Sequence, residues 1–454
     1  MKKYLALILA LVLLTSVLSA CSGDTPSTPD NPPASNGTEN DPAVADDTPS
    51  AESPSEGGEI LFWHIATESP VLEIYEFAID MFNSNTDSGF TVTSVGTRND
   101  VYKEKLIIAM SAGECPDVYS SWSGGPMIEY IEAGYAQPID DLIGGFKDRI
   151  MEAGWAQGSH QGKVYGIPIE SVCVAGVYYN SEMFDRFGLS VPKTLSELET
   201  ICATLKDNGI VPFALANASK WTGSMTYMNL VTRHGGLQPF LDAATGVGSF
   251  ESESFVFAGE KIQEWVNSGY FPEGVNSLDE DDGQARQLLY QEVAAMICIG
   301  SWYNGTFLDE SEEFYEKVGW FSFPAVDGSN VDPSIQIGTV GDQFLHFNVT
   351  GDKLAAAVEM ASCFSDPVTV DLIVESGEIP PVRNVKELIT DPLNVMILDA
   401  ALSASGTQLW YDQFLPPAVA QVHLDTLQDI FGLTMSPQDA NAALQKAMQE
   451  ALNS

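Results

Sequence analysis

Basic residues are scarce: 20 Lys and Arg stand against 63 Asp and Glu in 454 residues, a formal net charge of −43. Such a chain cannot displace counterions from a phosphate backbone, which excludes nucleic acid as a partner. Anionic membrane surfaces repel it too, unless a lipid does the anchoring. Histidine is rarer still, with 5 residues at positions 64, 160, 234, 346 and 423 and none at metal-ligand spacing. His-Glu-x-x-His, Gly-x-Ser-x-Gly and Walker sequences are all missing, so the common hydrolytic and phosphate-binding constellations are excluded and neither a metal nor a cofactor is expected. The 6 cysteines, at 21, 115, 173, 202, 298 and 363, are widely spaced and form no Cys-x-x-Cys, unlike a disulfide framework or a zinc site. Those at 173, 202, 298 and 363 read as small core residues.

What is present starts at the amino end. Lys2 and Lys3 precede an apolar run over 4–14, and Leu18-Ser19-Ala20-Cys21 closes it with small residues. Residues 1–21 read as a secretory signal, too short to span a bilayer, whose ending resembles a bacterial lipobox with Cys21 as the lipid-bearing residue. Residues 22–59 contain no Lys or Arg and almost no large apolar side chain, so they read as a disordered acidic tether. Beyond it lies material for large cores, since 44% of the chain is hydrophobic and 10% aromatic.

Apolar periodicity predicts a strand over 60–63, a helix over 71–83, a strand over 90–95, a helix over 102–112 and a strand over 117–119. This alternation implies an α/β lobe built on a mostly parallel sheet flanked by helices. Further strands are expected at 176–179, 211–214, 293–299, 318–323 and 343–347, with helices between and after them. Thr194 is positioned to cap a helix over 195–208, and Ser436 to cap one over 437–452.

The acidic run Asp279-Glu280-Asp281-Asp282-Gly283 has a glycine where a calcium loop would, but counting back puts Leu278 at the first ligand position and no Glu follows at the right distance. It reads as a solvated loop ending in a helix cap. Tryptophans carry more information: Trp122 follows the strand over 117–119 and Trp302 follows that over 293–299, each among glycines and serines. Open α/β sheets present ligand sites beyond the carboxyl ends of their strands. An indole face packs on the C–H surface of a pyranose ring while Asp, Glu and Asn take up its hydroxyls.

Several ordered fragments carry a resemblance: Phe62-Trp63-His64, Lys105-Leu106-Ile107-Ile108-Ala109-Met110-Ser111-Ala112-Gly113-Glu114, Pro116-Asp117-Val118-Tyr119, Tyr165-Gly166-Ile167-Pro168, Tyr178-Tyr179-Asn180-Ser181-Glu182-Met183-Phe184, Val191-Pro192-Lys193-Thr194-Leu195, and Ala294-Ala295-Met296 leading to Gly300-Ser301-Trp302. Over residues 59–454 the chain resembles a family 1 extracellular solute-binding protein, the sugar-capturing lipoprotein of a bacterial ABC importer.

The resemblance implies a two-lobed periplasmic-binding-protein-like fold with a hinge: a first lobe of 60–175 plus about 346–400 and a second of 176–340 plus about 401–454. Crossings are expected near 175–179 and 341–347, with a third beyond Pro381. It also implies a carbohydrate ligand in the cleft, permease subunits as partners, a monomer held outside the cytoplasmic membrane by its lipid alone, and no enzymatic activity. Carried over position by position, the ligand contacts are Glu68, Asn99, Ser121, Trp122 and Glu170, faced by Trp221, Trp302 and Tyr303, with Asp342 at the second crossing and Trp410 beyond. The alternatives are a secreted glycosidase pairing Glu68 with Glu170 across the same cleft, or a surface sensor or adhesin on the same fold.

Overall fold

The computed structural model describes residues 57–453. The expected signal with Cys21, and the tether up to residue 56, lie outside the described residues; Glu59, expected in the tether, is the first residue of the first strand. In chain order the strands are β1 (Glu59–His64), β2 (Thr91–Gly96), β3 (Val118–Ser121), β4 (Ser159–His160), β5 (Lys163–Val164), β6 (Ile167–Ile169), β7 (Val172–Val174), β8 (Gly176–Asn180), β9 (Val211–Ala214), β10 (Ala294–Ile299), β11 (Val318–Phe321), β12 (Gln336–Val340), β13 (Gln343–Phe347) and β14 (Thr407–Gln408).

Each lobe is a sheet covered by helices. The first sheet has the order β2-β1-β3-β13-β6 and the second β11-β8-β10-β9, while β14-β12-β7 forms a small third sheet. The α/β expectation holds, with a correction to the ladders. β1 pairs in parallel with β2 and β3, but β13 is antiparallel to both β3 and β6. In the second sheet only β9 and β10 pair in parallel, and β8 is antiparallel to β10 and β11. One strand per sheet is therefore reversed, and in each case it is the strand that has just arrived from the other lobe. β8 follows the passage out of the first lobe and β13 the passage back, so both enter their sheets from the hinge side.

Packing divides accordingly. The β1–β3 sheet buries Ile60, Phe62, Val118, Leu345 and Phe347 with Tyr75, Ile79 and Phe82 of the helix Val71–Asn85. A smaller cluster of Tyr102, Leu106, Tyr119 and Tyr130 covers part of the same lobe. The larger core gathers β8, β9 and β10 with the helices Trp221–Gly235, Glu253–Asn267 and Pro417–Phe431. Ile379, Val385, Ile389, Leu393 and Ile397 pack in this larger core, whereas Ile373 packs in the first. The first lobe's second segment accordingly ends near 378, not near 400, because the helix Pro392–Leu402 presents its apolar face to the second lobe.

Thr194 and Ser436 cap their helices as their sequences predict, the former in a reciprocal capping box with Glu197. Cys115, Cys173, Cys202, Cys298 and Cys363 are all unpaired; Cys363 is only half-buried, unlike the core position expected for it. Among the described residues no helix is long and apolar enough to cross a membrane.

Candidate ligand-binding cleft

Among the described residues the chain passes between lobes three times, and each passage carries a carboxyl, buried at Glu170 and Glu378 and half-buried at Asp342. Glu170 lies between β6 and β7, Asp342 between β12 and β13, and Glu378 just before Ile379. The passages are stitched together: Gly341 donates its backbone N–H to the Ser171 carbonyl at 3.1 Å, and Val172 donates to the Ile379 carbonyl at 2.7 Å. Glu170 sits in the left-handed region at φ 63, and the Tyr75 hydroxyl donates to its Oε1 at 2.5 Å. A non-glycine residue held there is a mark of local strain of the kind found at functional sites.

Burial dominates the titration of these acids. It pushes Glu170 well above the ordinary carboxylate range, with the Asp342 charge adding to the effect. Asp342 rises to about 6, mainly by burial, and Glu378 to about 8 for the same reason. Glu378 has room beneath the helix Tyr303–Glu310 because residue 305 is glycine; a Cβ there would lie 2.7 Å from Glu378 Oε1.

A cleft of about 270 Å³ opens beside the first two passages. On the first lobe its wall is made by segments that follow β1, β2 and β3, namely 65–71, Arg98 with Asn99, and Trp122. On the second it is made by Trp221, Met225 and Met228 of one helix, by Trp302 and Tyr303 after β10, and by Trp410. The indoles form a bent row: the Trp221 and Trp302 centroids are 6.0 Å apart at 57°, and Trp302 and Trp410 5.9 Å apart at 74°. Lys103 Nζ lies 4.3 Å from the centroid of Trp122, the fourth indole.

The cations of this wall already have partners. Lys103 pairs with Asp412 at 3.0 Å, Arg286 with Glu310 at 2.8 Å and Glu280 at 3.2 Å, and Arg98 with Asp282 at 2.8 Å. Glu280 is buried, which raises its carboxyl to about 7 although the Tyr303 hydroxyl and Arg286 oppose the shift. Chemically, the cleft offers aromatic faces, carboxyls at Glu170, Asp342 and Glu280 that burial favours in the protonated form, and cations that already face carboxylates.

The sequence model of the bacterial extracellular solute-binding protein family matches residues 67–359. The chain belongs to that family. Among curated relatives of this solute-binding protein, an uncharacterised ABC transporter extracellular-binding protein of Pyrococcus horikoshii is 26% identical over 356 residues, covering 76% of this chain and 75% of the relative. A multiple sugar-binding protein of Streptococcus mutans is 23% identical, covering 69% of this chain and 73% of its own. Of solved structures, one from work on xylan utilization by the thermophilic bacterium Caldanaerobius polysaccharolyticus is 29% identical with a TM-score of 0.78, covering 86% of this chain and 99% of that one. A chitin oligosaccharide binding protein superposes with a TM-score of 0.80 at 23% identity, covering 87% and 99%. The solved structures share the two-lobed architecture of this chain.

The solute-binding protein's cleft brings together every sequence-derived candidate except Ser121. Glu68, Asn99, Trp122, Glu170, Trp221, Trp302, Tyr303, Asp342 and Trp410 all lie on it. Ser121 is the last residue of β3 and fully buried, off the wall, whereas the next residue, Trp122, lies on it. Tyr303 is on the wall but its hydroxyl is taken by Glu280. Tyr411, next to Trp410, is stacked on Phe240 in the second core. Glu280, Asp281, Arg286, Glu310 and Asp412 line the cleft without having been singled out as ligand contacts. The acidic run 279–282 was visible as a motif; Arg286, on the helix Gln284–Tyr290, and Glu310, at the end of the helix Tyr303–Glu310, belong to no motif that points to a ligand.

Proposed function

We propose that this chain is a lipid-anchored receptor, tethered through Cys21 on the extracytoplasmic face of a bacterial membrane, that captures a neutral carbohydrate and delivers it to the permease subunits of an ABC importer. The observation that carries the reading is the row Trp221, Trp302 and Trp410 beside the carboxyls of Glu170 and Asp342 in one interlobe cleft. Indoles take the C–H faces of sugar rings, and carboxyls take their hydroxyls. Trp221 and Trp302, half-buried side by side along the cleft, present more aromatic face than one ring covers, which favours an oligosaccharide over a monosaccharide. Anionic sugars are disfavoured because Arg98, Lys103 and Arg286 already face carboxylates. The relatives' sugar-binding names and the xylan context of one structural neighbour make xylose-based oligosaccharides the first to try.

Titration calorimetry with a panel of neutral mono- and oligosaccharides, xylose-based and chitin-based chains included, tests the reading. Heat of binding is expected for at least one oligosaccharide, with its matching monosaccharide weaker. A panel in which no neutral sugar binds would sink the proposal.

A further inference from the structure

The acidic run 279–282 meets the start of the helix Asn99–Ala112 across the cleft. Asp281 Oδ2 accepts the Asp100 backbone N–H at 2.9 Å, Arg98 Nη1 donates to Asp282 Oδ1 at 2.8 Å, and Arg98 Nη2 lies 3.8 Å from Asp279 Oδ1. The helix belongs to the first lobe through Tyr102 and Leu106, whereas the run lies between Val275 and Leu289 of the second core. Arg98 occupies the cap position of its helix with no side-chain cap bond. Asp100 is the second helical residue, so Asp281 does from the opposite lobe what an N-cap carboxylate does from the start of its own helix. It satisfies an orphan donor and places negative charge at the positive end of the helix dipole.

The acidic side of this contact is braced. Asp279 Oδ1 accepts the Asp281 N–H at 2.9 Å, Arg286 holds Glu280 at 3.2 Å, and the Tyr303 hydroxyl donates to Glu280. Glu280 therefore connects the run to the wall bearing Trp302 and Tyr303, so the contact is continuous with the cleft and not an isolated surface pair. We infer that Arg98 and the run 279–282 are the two halves of an interlobe clasp that draws the lobes together, with Arg98 and Asp281 acting as positioning residues that hold the cleft closed. The clasp goes beyond the carbohydrate reading and requires no particular ligand, so it can fail while that reading stands. Its ionic part is open to solvent, the Arg98 side chain being 43% exposed, and is therefore weakened by salt.

The full chain without added sugar suffices for the test. Small-angle X-ray scattering is recorded at about 20 mM and about 500 mM NaCl, bracketing Debye lengths well above and well below 10 Å, for wild type, Arg98→Glu and Arg98→Glu with Asp282→Arg. Hydrogen exchange of the segment around Asp100 is compared between wild type and Asp281→Ala. The radius of gyration is expected to be larger in Arg98→Glu than in wild type at low salt, to rise in wild type with salt, and to return when the charges are swapped. Exchange at the Asp100 amide is expected to be roughly 2–30-fold faster in Asp281→Ala, the range for losing a helix cap. Equal radii in wild type and Arg98→Glu at low salt, or unchanged exchange at Asp100 in Asp281→Ala, would overturn the clasp. Far-UV circular dichroism of each variant identifies unfolding as a separate cause, and the salt series on wild type needs no variant at all.

Discussion

Trp302 is the residue at which the aromatic row turns, in contact with Trp221 on one side and Trp410 on the other. Its ring lies over Gly300, where a Cβ would come within 2.0 Å of the indole, so the Gly-Ser-Trp spacing is what allows this rotamer. Trp410 is only 2% exposed and Trp122 6%, which leaves the half-buried Trp221 and Trp302 as the faces most available to a sugar. Trp302→Ala is expected to weaken carbohydrate binding by about 1–3 kcal/mol, the worth of a stacking platform measured for aromatic rings under nucleic-acid bases. Calorimetry with the sugar that binds wild type checks it, and an unchanged affinity would assign the ring to packing. At this scale the sequence was informative about position: a tryptophan flanked by small residues after a buried strand is placed at that strand's carboxyl end, and Trp122 and Trp302 both line the cleft. Ser121 shows the limit, since one step along a strand moves a side chain off the wall and neighbouring sequence does not announce the step.

The crossings are the elements on which the cleft depends, and they were the least legible. Periodicity of 2 identifies a strand but carries no direction, so nothing in the residues of β8 or β13 reported that each runs against its sheet. The first two connections, 170–171 and 341–342, are too short for a compositional signature, and the third, over 376–384, reads like any loop between two helices, which is why the return boundary was expected about twenty residues late. Gly341 is the exception, a glycine beside the acid of a crossing whose backbone angle explains it. It adopts φ 99, and a Cβ at this position would approach the Pro168 Cβ to 2.6 Å. Alanine therefore meets both an unfavourable dihedral and the neighbouring crossing. Gly341→Ala is expected to cost about 1–3 kcal/mol of stability, read as a lower thermal midpoint, with an accompanying loss of ligand affinity because Asp342 moves with it. A variant matching wild type in both would show that this crossing yields without cost.

Among the described residues few acids are buried, and those few govern the pH response of the whole molecule. Burial raises Glu378 to about 8, Glu280 to about 7 and Asp342 to about 6, and takes Glu170 well above its ordinary range. These carboxyls hold protons more tightly folded than unfolded, so each lowers stability as pH rises from its unfolded value, near 4.5 for Glu, through its folded value. Burial lowers His64, His346 and His423 to about 4 from an unfolded value of 6.5. Histidines of this kind act with the opposite sign, adding stability as pH rises from about 4 to 6.5. Below about pH 7.5 the two sets oppose one another, the histidines with diminishing effect above 6.5; beyond it the histidines are neutral in both states while Glu378 is still losing its proton in the folded state. Stability must therefore fall from mildly acidic to mildly alkaline pH. The thermal midpoint is expected to drop by roughly 2–8 °C between about pH 6.5 and about pH 8.5. In Glu378→Gln, which replaces the titrating acid by a neutral amide of the same shape, that decline should be shallower. Scanning calorimetry of both proteins across this range decides it: a midpoint that stays level or climbs with pH would mean that the carboxyls at the crossings reach water or a cation and are ionised in the folded state.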